Sequence, residues 1–106
     1  MTPIVSPEAE KDLDEMEAWL ARNWGPLAAA NVIEAVLAKI ALLAEMPFAG
    51  TPRPEFGEAM RFVTAKRYVI YYEADADTLT VLRILHSARD RASIMRRAID
   101  EGEEAQ

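Results

Sequence analysis

The hydrophobic period of this sequence changes once, near residue 60, and that change limits the folds open to the chain. Before it, apolar residues recur at steps of three and four; after it come short runs rich in β-branched and aromatic residues. Leu13, Met16, Leu20 and Trp24 fall on one helical face, with Glu10, Asp14, Glu17 and Ala21 elsewhere. Ser6-Pro7-Glu8 reads as the start of this helix: a hydroxyl cap, a proline at the first helical position and an acid in the first turn. Gly25-Pro26 both stops it and opens the next. The second helix, PLAAANVIEAVLAKIALLAEM, carries Val32, Ile33, Val36, Ile40 and Leu43 on a stripe too broad for a surface helix. Two helices joined this closely fold back on each other, so residues 8–46 are predicted to form a helical hairpin.

Pro47 ends the second helix, and PFAGTPRPEFGEA holds three prolines and two glycines in thirteen residues. That composition describes an ordered loop with a restricted backbone, not a linker. The runs MRFVT, RYVIYYE and TLTVLRILH then predict a three-stranded antiparallel sheet over residues 60–86, with Ala74-Asp75-Ala76-Asp77 as the turn between the last two strands. The third run is apolar on both faces, so it is predicted to be the central strand, covered on at least one side by the hairpin. Strict alternation places Arg83 with Leu79, Val81 and Leu85, and His86 with Leu82 and Ile84. Ile4-Val5 supplies an extra strand over residues 3–6, residues 90–99 suit a short last helix, and residues 98–106 form an acidic tail. The expectation is a single α+β domain over residues 1–106: an N-terminal helical hairpin packed on a small twisted antiparallel sheet, followed by a short C-terminal helix.

Charge is distributed unevenly. The net charge is −6, yet residues 1–60 hold ten acids and four bases, while residues 61–97 hold eight bases and four acids. An acidic total lowers the expectation of specific nucleic-acid binding, and a local basic surface is left open. Zero cysteines exclude disulfides, thiolate metal sites and cysteine nucleophiles. No metal site or cofactor is expected. The N-terminus carries acids where a signal peptide has a cationic and then an apolar segment, and no uncharged apolar run approaches bilayer length, so a cytoplasmic protein without a membrane partner is expected.

An arginine in the middle of an apolar strand needs an explanation. Arg83 must pair with an acid, reach the edge of the sheet, or stand on a face left open for another molecule.

The order helix, helix, loop, strands, together with "LLAEMPFAG", "RFVTAKRYVIYY" and "VLRILHSARD", resembles the ParE branch of the RelE/ParE toxins of bacterial toxin–antitoxin systems, from Ala9 through Asp90. The resemblance implies a cognate ParD-like antitoxin that wraps the toxin in a hetero-oligomer. It also implies DNA gyrase as the target, inhibited by protein binding without chemistry, with growth arrest as the outcome. Arg61, Arg67 and Arg83 would then build an exposed basic face for an acidic segment, with His86, Arg89 and Trp19 as further antitoxin or target contacts.

The other branch of the superfamily resembles ribosome-dependent mRNA endonucleases. Cutting RNA at the 2′-hydroxyl needs a base, an acid and cations around the phosphorane, and the set available here would be His86, Arg61, Arg83 and Tyr71. Three lysines in the whole chain argue against docking on ribosomal RNA. The plainer reading of His86, the only histidine, is a residue that caps its strand or bonds to Asp90. Arg89 with Asp90 is ordinarily a local ion pair, and Trp19 and Trp24 are ordinarily hairpin packing.

Overall fold

The computed structural model describes residues 1–88. The short C-terminal helix, the acidic tail and Arg89 expected from sequence lie outside the described residues. The elements run β1 (Ile4–Val5), α1 (Pro7–Trp24), α2 (Pro26–Glu45), β2 (Thr51–Pro52), a single 3₁₀ turn (Pro54–Phe56), β3 (Met60–Ala65), β4 (Tyr68–Ala74) and β5 (Leu79–His86). The strands form one five-stranded sheet in the order β1-β5-β4-β3-β2. β1 runs parallel to β5 and every other pair is antiparallel.

Local chemistry sets the helix ends where the sequence indicates. Ser6 caps α1, its Oγ accepting from the Ala9 N–H at 3.1 Å and donating to the Leu82 carbonyl at 3.0 Å. The Ser6 N–H bonds the Val81 carbonyl at 2.9 Å, so the start of α1 is tied to the outer edge of β5. Gly25 serves both helices: its N–H closes α1 on Ala21 and its carbonyl opens α2 on Ala29, at a φ of 96° that a side chain disfavours. Ala29, Val36, Ile40 and Leu43 of α2 and Ala9, Met16 and Leu20 of α1 are buried with Tyr68, Ile70, Tyr72, Leu79, Val81 and Ile84 of the sheet. Each such Val, Ile or Leu contributes about 1.5–3 kcal/mol. By length and composition α2 is apolar enough to cross a membrane, but its Val36-Ile40-Leu43 face is packed on the sheet.

Three features depart from the sequence expectation. The central strand is β4, buried at Tyr68 through Tyr72, and β5 lies second from the edge. β2 adds a short edge strand that its proline and two-residue length conceal. Third, the pairing of β4 with β5 skips a residue: Tyr71 faces Arg83 and Tyr72 faces Val81, leaving Leu82 as a bulge. The bulge breaks strict alternation. Leu79, Val81 and Ile84 all join the helix-side core, while Leu82 and Leu85 pack on the far face with Met60, Val69, Tyr71, Phe56 and Phe62.

The loop after α2 is held from below. The Tyr72 hydroxyl donates to the Pro47 carbonyl at 2.9 Å and accepts from the Gly50 N–H at 2.9 Å. Gly50 fits because a Cβ there would fall on that hydroxyl and lie 2.8 Å from the Phe62 carbonyl oxygen. Burial pushes the Tyr72 phenol above its ordinary value, against smaller opposing effects of the Gly50 bond and the Arg61 charge.

Candidate functional site

One end of the molecule gathers cations and indoles. Asp12, Met16 and Trp19 recur at helical steps along the side of α1 that faces β5. Tyr68 opens β4, His86 closes β5, and Lys66-Arg67 form the turn between β3 and β4, with Lys66 in the left-handed region at φ 55°. Two adjoining grooves result, sharing Trp19, Tyr68 and His86. The first, of about 380 Å³, runs along α1 past Asp12, Glu15, Met16 and Arg22 to Ile84. The second, of about 690 Å³, lies between the two helices and the β3–β4 turn and is lined by Leu20, Trp24, Val32, Lys66 and Arg67. Trp19 is 47% exposed and Trp24 70% exposed, unusual for large apolar side chains in a hairpin.

Trp19, Arg67 and His86, three of the residues singled out from sequence, meet here. The His86 Nδ1 accepts from the Ala88 N–H at 3.0 Å, and its ring stands edge-on to Tyr68 at 5.3 Å. Asp90, the alternative partner expected for His86, lies outside the described residues.

Arg83 does not stand on an open face. Its Nε and Nη2 fork onto the two carboxylate oxygens of Asp12 at 2.8 and 3.1 Å, and Asp12 Oδ2 also accepts from the Ile84 N–H at 2.9 Å. The Asp12 bond raises the Arg83 pKa further, against a smaller opposing effect of burial. The expectation of one basic surface built by Arg61, Arg67 and Arg83 is therefore corrected: α1 supplies the carboxylate, and the arginine is used inside the fold. In the sequence Asp12 is one of several acids along the first helix, with nothing to mark it as the partner of Arg83.

Arg61 is also engaged. Its Nη1 donates to the carbonyls of Phe48 at 3.0 Å and Gly50 at 2.8 Å, and the guanidinium lies 5.4 Å from the Phe48 ring. It pins the loop at the far end of β3 from Arg67. Tyr71 lies on the sheet face opposite His86, only 3% exposed, between Phe56 at 6.0 Å and Phe62 at 6.2 Å. The four residues of the ribonuclease reading are thus spread over two faces and two ends of the sheet. Among the described residues no group of three or more His, Cys, Asp or Glu could hold a metal ion.

Lys66, Tyr68, Arg22, Leu20 and Val32 also line the two grooves, and none of them is marked as a contact by the sequence patterns above. The "AKRY" stretch between two strand runs was the available signal, because a tight turn projects its bases at the end of the sheet.

The family model for the ParE toxin of the type II toxin–antitoxin system, parDE, matches residues 4–91. The chain belongs to the ParE toxin family. This ParE-type chain is similar in fold to a solved structure of a chromosomal ParDE TA system from P. aeruginosa, with a TM-score of 0.70 and 19% identity over 81% of this chain and 95% of that one. No curated protein matches it. The resemblance stated from the sequence motifs holds for the family and for the α+β fold, and identifies the chain as a type II toxin of ParE type.

Proposed function

We propose that this ParE-type chain arrests growth in the cytoplasm by binding DNA gyrase as a protein inhibitor, and that a cognate ParD-like antitoxin neutralises it in a hetero-oligomer. Membership of the ParE family supports the toxin role. The observation that carries the absence of chemistry is the scattering of the reactive set: Arg83 is spent on Asp12, Arg61 on backbone carbonyls, and Tyr71 lies across the sheet from His86. A phosphorane needs its base, acid and cations within hydrogen-bond reach of one another, and this arrangement offers no such point. Recognition is carried by the groove, with Trp19, Arg67 and His86 as contacts. Arg61 takes part indirectly by fixing its loop.

Expression of the chain alone tests this reading. Growth arrest with DNA-damage signalling, gyrase trapped on cleaved DNA and intact messages is expected. Cleavage of translated messages with gyrase untouched would overturn it in favour of the RelE-like endonuclease.

A further inference from the structure

We infer that a second copy of this chain covers the outer face of α2, the two helices packing antiparallel about a two-fold axis near Leu37 and Ala38. The contrast between the two helices is the first observation. α1 holds eight charged side chains in 18 residues, as a helix with one side in water should, and α2 holds three, Glu34, Lys39 and Glu45, in 20. Yet only Ala29, Val36, Ile40 and Leu43 of α2 are buried in the fold. On its other side Leu27 is 81% exposed and Leu37 and Leu42 are about half exposed, as are Met46 and Phe48 just beyond its end. None of these five lines either groove. A monomer seldom exposes so continuous an apolar surface, and depletion of charge marks the core of an interface.

The face is long enough for a stable dimer. A 20-residue helix spans about 30 Å, and two such faces in contact remove on the order of 1,000 Å² from water, the size of a specific interface. Its shape is complementary to itself. Ala30, Ala38 and Ala41 are exposed between the leucines, and small side chains let two helices approach closely. In the antiparallel register that sets Leu37 of each copy against Ala38 of the other, Leu27 meets Phe48, and the two-fold repeats each contact. Charge selects this register. α2 has no acid in its first turn and no base in its last, and Glu45 stands at its negative end. Neither Glu34 nor Glu45 has a cation within ion-pair distance among the described residues. Antiparallel packing brings Glu45 of each copy to Ala30, beside the positive end of the other helix, and sets Glu34 against Ala41, so no acid meets an acid. A bilayer would instead draw both acids into hydrocarbon. Phe48 is presented already ordered, because Arg61 holds the carbonyls of Phe48 and Gly50.

Sedimentation equilibrium of the full chain tests the pairing. Twice the chain mass, falling to one chain on dilution, is expected. Leu37→Glu and Leu42→Glu, both at exposed positions, are expected to raise the dimer dissociation constant by roughly tenfold or more while the melting temperature of the dilute monomer stays unchanged. Lys11→Glu, on the outer side of α1, is expected to pair like wild type. The chain has no cysteine, so the register can be read from cross-links: Ala30→Cys mixed with Glu45→Cys is expected to give an oxidised pair. A monomer at every concentration, a dimer insensitive to both leucine variants, Ala30→Cys cross-linking to itself, or a dimer dispersed by Thr64→Lys at the sheet edge would overturn the inference. So would a monomeric chain that binds phosphatidylglycerol–phosphatidylcholine vesicles, or the protein encoded beside it, in a manner abolished by Leu37→Glu, since either result gives the face to another occupant.

Discussion

Asp12 shows how one side chain can decide whether a neighbour is functional or structural. It satisfies the Arg83 guanidinium and the Ile84 N–H together, at the edge of β5 beyond the reach of β1. Asp12→Ala leaves an orphaned N–H and a half-buried cation, and is expected to lower unfolding free energy by about 1–3 kcal/mol in urea titrations. Asp12→Asn, which keeps an acceptor for Ile84, should lose less. Tyr72→Phe removes the hydroxyl shared by Pro47 and Gly50, and about 1–3 kcal/mol of destabilisation is expected. Its phenol is raised in the folded state, so the contribution of neutral Tyr72 is complete below the unfolded value of 10.0 and is lost as pH rises through the folded one. Alkaline weakening measured by denaturant midpoint should be smaller in Tyr72→Phe.

The two helices were legible because their period, their capping serine and the Gly-Pro junction all point the same way. The sheet was legible as three runs but not in detail. A bulge depends on which residue a partner strand skips, and nothing in "TVLRILH" marks Leu82 as that residue. For the same reason Arg83 could be recognised as needing a partner while the partner, 71 positions away, could not be named. The β4–β5 hairpin was clearer, since Asp75 is a turn residue by type. Its Oδ1 accepts from Asp77 N–H, Thr78 N–H and the Thr78 hydroxyl, and these bonds hold its carboxyl below the ordinary range, the Asp77 bond most of all. The contribution of ionised Asp75 is present above the unfolded value of 3.8 and is lost as pH falls through the folded one. Asp75→Ala should abolish that acid-dependent component of stability and increase amide exchange at Asp77 and Thr78.

The two ends of the molecule have different chemistry. At the loop end, Arg61, Tyr72 and Gly50 are consumed in holding the backbone from Pro47 to Gly50 in place. At the groove end, Lys66, Arg67, Trp19 and Trp24 are exposed among the described residues. A ligand entering the groove should therefore shift tryptophan emission to the blue on titration with the antitoxin, and Trp24→Ala should reduce the amplitude of that shift. A fluorescence spectrum unchanged at saturation would place the contact elsewhere.

The tie between α1 and β5 also has a bearing on solution behaviour. β1, Ser6 and Asp12 together occupy the outer rim of β5, whereas β2 pairs with Arg61 and Phe62 and leaves Val63–Ala65 of β3 uncovered among the described residues. Any lengthening of the sheet by a foreign strand is thereby confined to one direction. In a concentrated stock, stacking of one molecule on the next would begin at β3, and a lysine introduced at Thr64, which is exposed there, would be the economical way to keep the protein dispersed.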